Sequence, residues 1–227
     1  MFAAIPARYD LLNRLLTWGL DERWRRQAAR ECLRYAHGRV LDLACGTGDL
    51  ALHLARQGGP GLEVVGLDFA EPMLGVARAK AESADLAEKV SFVHGDAANL
   101  PFPDGHFSAV GISFAFRNIT YRNPLRDRYL AEVLRVLATG GRFVIVETSQ
   151  PCNPLLRVGF HLYLRLAVGR LGALLSGHRG AYRYLAESAR RFHKPDEVAA
   201  LLKQAGFREV HTHPLLWGVA AVHVAEK

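Results

Sequence analysis

The chain has 227 residues, 50% hydrophobic and 22% charged, which is enough for one sizeable core and does not demand two. Its net charge of +7 permits attraction to nucleic acid, anionic lipid or an acidic partner, but the charge is spread without a dense Lys/Arg tract, which ranks nucleic acid low. Three scattered cysteines, Cys32, Cys45 and Cys152, argue against a disulfide framework or a CxxC metal site and fit a reducing cytoplasm.

In chain order, the opening MFAAIPARYDLLNRLL reaches charge at Arg8 and Asp10, which leaves no uninterrupted signal-peptide core. No apolar run is long enough for a bilayer span. Residues 7 to 37 read as two helices broken near Gly19. The run Arg39 to Ala44 reads as a buried strand, followed by a Gly turn and a helix from Asp49 to Arg56. A strand from Glu63 to Leu67 ends at Asp68, and a helix spans Pro72 to Ala84. Further strands are predicted at Val90 to His94, Phe107 to Phe114 and Arg142 to Glu147, with a helix from Leu125 to Leu137 before the last. Strands alternating with helices of this length imply right-handed crossovers and a parallel sheet covered on both faces. After a helix at Pro195 to Ala205, FREVHTH and WGVAAVHVAEK lie too close for a helical crossover and must pair antiparallel.

The segment LDLACGTGDL carries the strongest chemistry. Gly46 and Gly48 follow a strand and open a helix, so the backbone can approach a ligand closely. A dinucleotide enzyme would want a third glycine near Ala51; instead Asp49 stands at the helix start, where it would repel a diphosphate and suits the ammonium of a methionine moiety. Asp68 ends the second strand, where the ribose hydroxyls of a nucleoside would lie, although the same residue could merely cap a helix. Asp96 and Ala97 follow the third strand, the usual place to receive an adenine edge. Three ligand-type signals at successive strand ends mark one crevice.

Taken together, CGTGD, GLDFAEPML, GDAANLPFPDGHF, ISFAFRN, RVLATGGRFVIVE and YRYLAES resemble the UbiE/MenG family of quinone C-methyltransferases over nearly the whole chain. The resemblance implies an α/β class I S-adenosylmethionine methyltransferase: a Rossmann-like, seven-stranded, mostly parallel sheet with a C-terminal antiparallel hairpin. It implies one domain over 1–227, with a helical cover (1–38), a cofactor-binding half (39–150), a helical insertion or lid (151–190) and a closing helix and hairpin (191–227). It implies S-adenosyl-L-methionine as cofactor, with contacts at Thr47, Asp68, Asp96, Ala97 and Ser113, and with Cys45, Gly46, Gly48, Phe69 and Met73 around it. The implied reaction is C-methylation of a polyprenylated quinol, demethylmenaquinol to menaquinol or the matching ubiquinone precursor. A small-molecule methyltransferase of another pathway is the alternative on the same sheet.

Methyl transfer to an aromatic carbon is an in-line displacement that mainly demands positioning. Loss of a hydroxyl proton makes the quinol ring a better nucleophile, so a base, or a cation beside the phenolate, accelerates it. Arg117 and Asn118 follow the fourth strand and face the same crevice; Arg117 stays protonated and suits an oxyanion or a water relay. Phe116, bulkier than the leucine usual in the family, is expected at the floor of the substrate pocket. Tyr9, Asn13, Tyr182 and Tyr184 are expected along its wall, and His193 in a polar turn beside it. No metal is expected, because the 10 histidines show no paired ligand spacing. Cys45 and Cys152 are read as small residues without chemistry.

The stretch Pro154 to Gly177 sets Arg157, His161 and Arg165 at four-residue spacing beside a broad apolar surface. One reading is a lid that receives an isoprenoid tail and meets lipid phosphates, which would hold the protein peripherally at the inner face of the membrane. The other is a helix on the core or a homodimer contact.

Overall fold

Alternating side chains along the strands build two cores back to back. In the computed structural model, which describes residues 14–34, 36–171 and 179–227, the apolar runs form one seven-stranded sheet. Strands β1 (Arg39–Leu43), β2 (Glu63–Asp68), β3 (Val90–His94), β4 (Phe107–Ser113) and β5 (Leu137–Thr148) are parallel. Strands β6 (Glu209–Leu215) and β7 (Ala220–Glu226) close the sheet antiparallel, giving the order β3-β2-β1-β4-β5-β7-β6. This is the expected sheet. Only β5 departs, starting at Leu137 instead of Arg142: Phe107 pairs with Leu137 and Ala109 with Arg142, so the intervening residues loop out through Gly140 at φ 74°.

The helices are α1 (Leu20–Leu33), α2 (Asp49–Gln57), α3 (Glu71–Ser83), α4 (Phe116–Thr120), α5 (Arg126–Val136), α6 (Pro154–Tyr163), α7 (Arg179–Arg190) and α8 (Pro195–Ala205). Gly19, at φ 71°, makes the expected break before α1. Leu41 and Leu43 of β1 join Val110, Ile112, Phe143 and Ile145 under α5 and α8, where Val133, Val136, Val198 and Leu202 meet them. Val40 and Val144 face the other way, against Ala28 and Ala29 of α1 and Leu50 and Leu54 of α2. With both faces buried, a one-residue slip would exchange the two sets of side chains, so the register is strongly specified. Truncating one such leucine to alanine typically costs about 2–5 kcal/mol.

The stretch after β5 is helical as expected, but not uniformly so over the described residues. None of the α6 residues is buried, and from Leu164 to Leu171 the helix widens to the π pattern. There Leu164 and Val168 pack with Ala186 and Ala189 of α7 in a small core of their own. Among the described residues, no helix is long and apolar enough to cross a membrane.

His223 of β7 is buried, with Nδ1 2.9 Å from Thr212 Oγ1 on β6. Burial, reinforced by nearby His213, lowers its pKa from 6.5 to about 4. The unfolded chain therefore takes up the proton first: this contribution to stability is complete above about pH 6.5 and is lost as the pH falls towards 4. At roughly 1.4 kcal/mol per pKa unit, the loss reaches about 2 kcal/mol near pH 5. Urea unfolding at about pH 7 and pH 5 should show a weaker pH dependence in His223→Gln than in wild type; an equal dependence would assign it to other groups.

Candidate active site

The strand order reverses between β1 and β4. The chain leaves β1 for β2 and β3, then returns to pair β4 on the other side, which opens a crevice at the carboxyl ends of the strands. Two cavities occupy that edge.

The first encloses about 620 Å³ and is lined by seven of the residues expected around a cofactor: Cys45, Gly46, Thr47, Asp68, Phe69, Met73 and Ser113. Gly48, Asp96 and Ala97 do not line it. At φ 82°, Gly48 serves packing instead: a Cβ there would stand 2.9 Å from the Ala77 Cβ and 3.1 Å from the Phe92 ring. Asp96 accepts the Ala98 N–H at 2.8 Å, and Ala97 packs against the core; His94, two residues earlier, is the residue of that strand that reaches the cavity. Two non-glycine residues lining the cavity, Ala44 at φ 53° and Phe114 at φ 54°, hold the left-handed conformation beyond β1 and β4. Such backbone is sterically costly for residues with a Cβ and tends to gather at functional sites.

Asp68 is already at work in the fold. Its Oδ2 accepts the Gly46 N–H and its Oδ1 the Ala70 N–H, both at 2.8 Å, so it ties the glycine loop to the start of α3. A carboxylate has about four acceptor positions, which leaves room for two ribose hydroxyls. Asp49, expected to meet an ammonium, is instead compensated within the protein. Lys80 Nζ donates to Asp49 Oδ1 at 2.6 Å and to Thr47 Oγ1 at 3.1 Å, and Arg25 Nη1 lies 3.7 Å from Asp49 Oδ2. Burial alone would raise this carboxyl, but the two cations outweigh it and hold it below its usual range. Burial, with Asp42 and Asp68 nearby, pushes the Cys45 thiol up, so it stays protonated and offers no thiolate.

The second cavity, about 490 Å³, is largely apolar, with Trp18, Trp24, Phe114, Leu155 and Phe160 among its walls. Arg117 lines it at 2% exposure. Its Nη1 donates to Glu147 Oε1 at 2.6 Å and its backbone N–H to Glu147 Oε2 at 3.0 Å, while Nε has no hydrogen-bond partner among the described residues. Glu147 Oε1 also accepts the Thr148 N–H at 2.8 Å. Asn118, the next residue, lines the first cavity, so consecutive side chains serve the two spaces. Tyr184 donates its hydroxyl to Asn118 Oδ1 at 3.5 Å.

Other expected pocket residues lie elsewhere. Phe116 is not a pocket floor: it is fully buried against Phe143 and Phe192 and lines neither cavity. The turn through Phe114 and Ala115 sends it into the core at the start of α4. His193 pairs with Glu197 at 3.5 Å beside the rings of Tyr121 and Phe192, and it lines neither cavity. Tyr9 and Asn13 lie outside the described residues, as does the side chain of Tyr182. Sequence reasoning missed Arg25, Lys80 and Glu147. Glu147 alone left a signal, an acid closing an apolar strand as Asp68 does.

The profile of the ubiE/COQ5 methyltransferase family matches residues 1–227. The chain belongs to that family. It is 48% identical to the demethylmenaquinone methyltransferase of Thermus thermophilus, with 100% of both chains covered. It is 40% identical to the ubiquinone/menaquinone biosynthesis C-methyltransferase UbiE of Geobacter sulfurreducens, covering 100% of this chain and 87% of that one. The fold is also that of a SAM-dependent methyltransferase structure from Aquifex aeolicus, at TM-score 0.58 and 18% identity over 83% of this chain and 81% of the other. The protein is a methyltransferase, and its methyl donor is S-adenosyl-L-methionine.

The first cavity fits that donor: a tight glycine loop, a strand-end carboxylate with acceptor positions to spare, and the Ser113 hydroxyl on the far wall. Hydrogen bonds to a charged group contribute roughly 1.5–3 kcal/mol, so Asp68→Ala should raise the S-adenosylmethionine dissociation constant about tenfold or more. Calorimetry finding unchanged affinity in a folded Asp68→Ala protein would remove Asp68 from the site.

Proposed function

We propose that this methyltransferase C-methylates a polyprenylated quinol, converting demethylmenaquinol to menaquinol. One observation carries the reading: a largely apolar cavity shares its boundary with the donor site and holds, deep in its wall, the buried guanidinium of Arg117 with an N–H to spare. The names of both relatives point the same way. An apolar wall suits an aromatic ring and its isoprenoid tail, and a buried guanidinium N–H suits an oxygen that becomes a phenolate.

The donor supplies an electrophilic methyl group on a sulfonium. On the protein side, Glu147 holds Arg117 in one orientation through two hydrogen bonds, so the guanidinium meets the quinol oxygen without reorganising. Asn118, steadied by Tyr184, orients the group on the donor side. On this reading the described parts of 1–38 and 151–190 cover the donor-binding half, and 191–227 complete the sheet of a single domain. The ubiquinone precursor and a smaller aromatic acceptor are the alternatives, and mass spectrometry of products from each acceptor separates them.

The mouth of the apolar cavity is where the tail leaves. Trp18, Leu155 and Trp217 line it yet are 85%, 83% and 77% exposed. Exposed apolar residues rimming a cavity, on a chain of net charge +7, suit the surface of an anionic bilayer. His161 drops out of the expected basic face: its Nε2 is 2.8 Å from Gln150 Oε1, and burial together with Arg190 and Arg157 lowers its pKa. Arg157 and Arg165 carry the charge. Trp18→Ala with Trp217→Ala should reduce co-sedimentation with anionic vesicles several-fold while donor affinity holds. Unchanged vesicle binding, with sedimentation velocity showing a dimer lost in the same variant, would assign this face to a second copy.

Complete removal of the Arg117 side chain would strand Glu147, a change worth about 3–5 kcal/mol of stability in comparable buried pairs. Arg117→Lys is therefore the informative variant, since it keeps the charge but not the planar fork. Single-turnover methylation of a short-tailed demethylmenaquinol should slow by about tenfold or more, with donor affinity unchanged. A wild-type rate would leave Arg117 a structural residue only.

A further inference from the structure

The two cavities share two lining residues, Arg25 and Phe114. Arg25 projects from α1, and its side chain is held on several sides. Nη1 donates to Asp21 Oδ2 at 2.6 Å, Nε donates to Ser113 Oγ at 3.1 Å, and Cζ lies 5.1 Å from the centroid of the Phe114 ring. Asp49 Oδ2 is 3.7 Å away.

The direction of the donor follows from Asp68. With the ribose taken by Asp68 at the end of β2 and the adenine on the β3 side, as expected from the sequence, the amino-acid end runs the other way, over β1 and β4, where Arg25, Asp49 and Ser113 stand. That end carries one ammonium and one carboxylate. Among the described residues lining the cavity, Arg25 is the only permanent cation; His94, the other basic side chain, sits beside Phe69 at the end of β3. On the same wall Asp49 is held by Lys80 and Asp68 by the loop amides, which leaves Arg25 as the charged group of the sign a carboxylate needs.

We propose that Arg25 binds the α-carboxylate of the donor's methionine moiety. A charge-assisted hydrogen bond from a guanidinium to a carboxylate is among the stronger ones, and burial strengthens it. The consequence reaches the acceptor. Helix α1 also gives Leu20, Asp21 and Trp24 to the wall of the apolar cavity, so a donor that grips Arg25 steadies that wall from the other side. The adenosyl end is left to Asp68, and the two ends of the donor are held by independent groups.

The test uses ligands that differ at the carboxylate, read by calorimetry on the full chain without any acceptor, so it does not depend on the quinol reading. Wild type should bind S-adenosylmethionine at least tenfold more tightly than decarboxylated S-adenosylmethionine. Arg25→Met should lose most of that preference, binding the decarboxylated ligand nearly as well as wild type does, and Arg25→Lys should keep part of it. Retained binding of the decarboxylated ligand also reports that the variant is folded. Equal wild-type affinity for the two ligands would overturn the proposal. So would an Arg25→Met protein that weakens for both by the same factor, because Arg25 would then only brace α1.

Discussion

Arg117 and Glu147 bury opposite charges beside the apolar cavity, at the carboxyl end of β5, each almost completely removed from water. Desolvating either charge alone would cost several kcal/mol, and their attraction offsets this only because the geometry is close and Glu147 also accepts the Arg117 and Thr148 backbone N–H groups. Hydrophobic side chains of similar volume would stabilise this position as well or better. A buried pair with one N–H left over is what a site needs, and it also fixes α4 against the end of β5. From that anchor Arg117 takes one cavity and Asn118 the other.

The two spaces differ in the physics of their walls. The donor cavity is assembled from backbone turned at strand ends, with acids and cations compensating one another: Asp68 with the loop amides, Asp49 with Lys80 and Arg25. The apolar cavity is walled largely by α1, α6 and the turn between β6 and β7. Of these, α1 also rests on the sheet through Ala28 and Ala29. Leu164, Val168, Ala186 and Ala189 instead pack on one another in a separate core. Elements with few core contacts open more readily than the sheet, which suits a wall that must admit a long apolar ligand.

The sheet, the helices that cover it and most of the donor cavity were legible in the sequence because their signals are local. A β-branched run, a glycine turn and an acid at a strand end lie within a few residues of one another, and burial on both faces leaves one register for them. Gly19 and Gly140 mark places where the chain needs a positive φ. Phe116 shows the limit of such reading. It adjoins Arg117 in sequence and was expected beside it in the pocket, but the left-handed turn at Phe114 sends it into the core while Arg117 stays at the cavity.

What the sequence determined by itself is the family and a mostly parallel seven-stranded sheet closed by an antiparallel hairpin, since these follow from short-range pattern and the handedness of the crossovers. The tertiary structure alone decided which charges meet. Arg25 reaches Ser113 across 88 positions, Lys80 reaches Asp49 across 31, and Arg117 reaches Glu147 across 30. Local pattern marks Asp49 and Arg117 and leaves a signal at Glu147, but it does not say which distant group each one meets. Their partners come within reach only when the sheet brings distant strand ends to one edge, and the low dielectric created there makes the pairing strong.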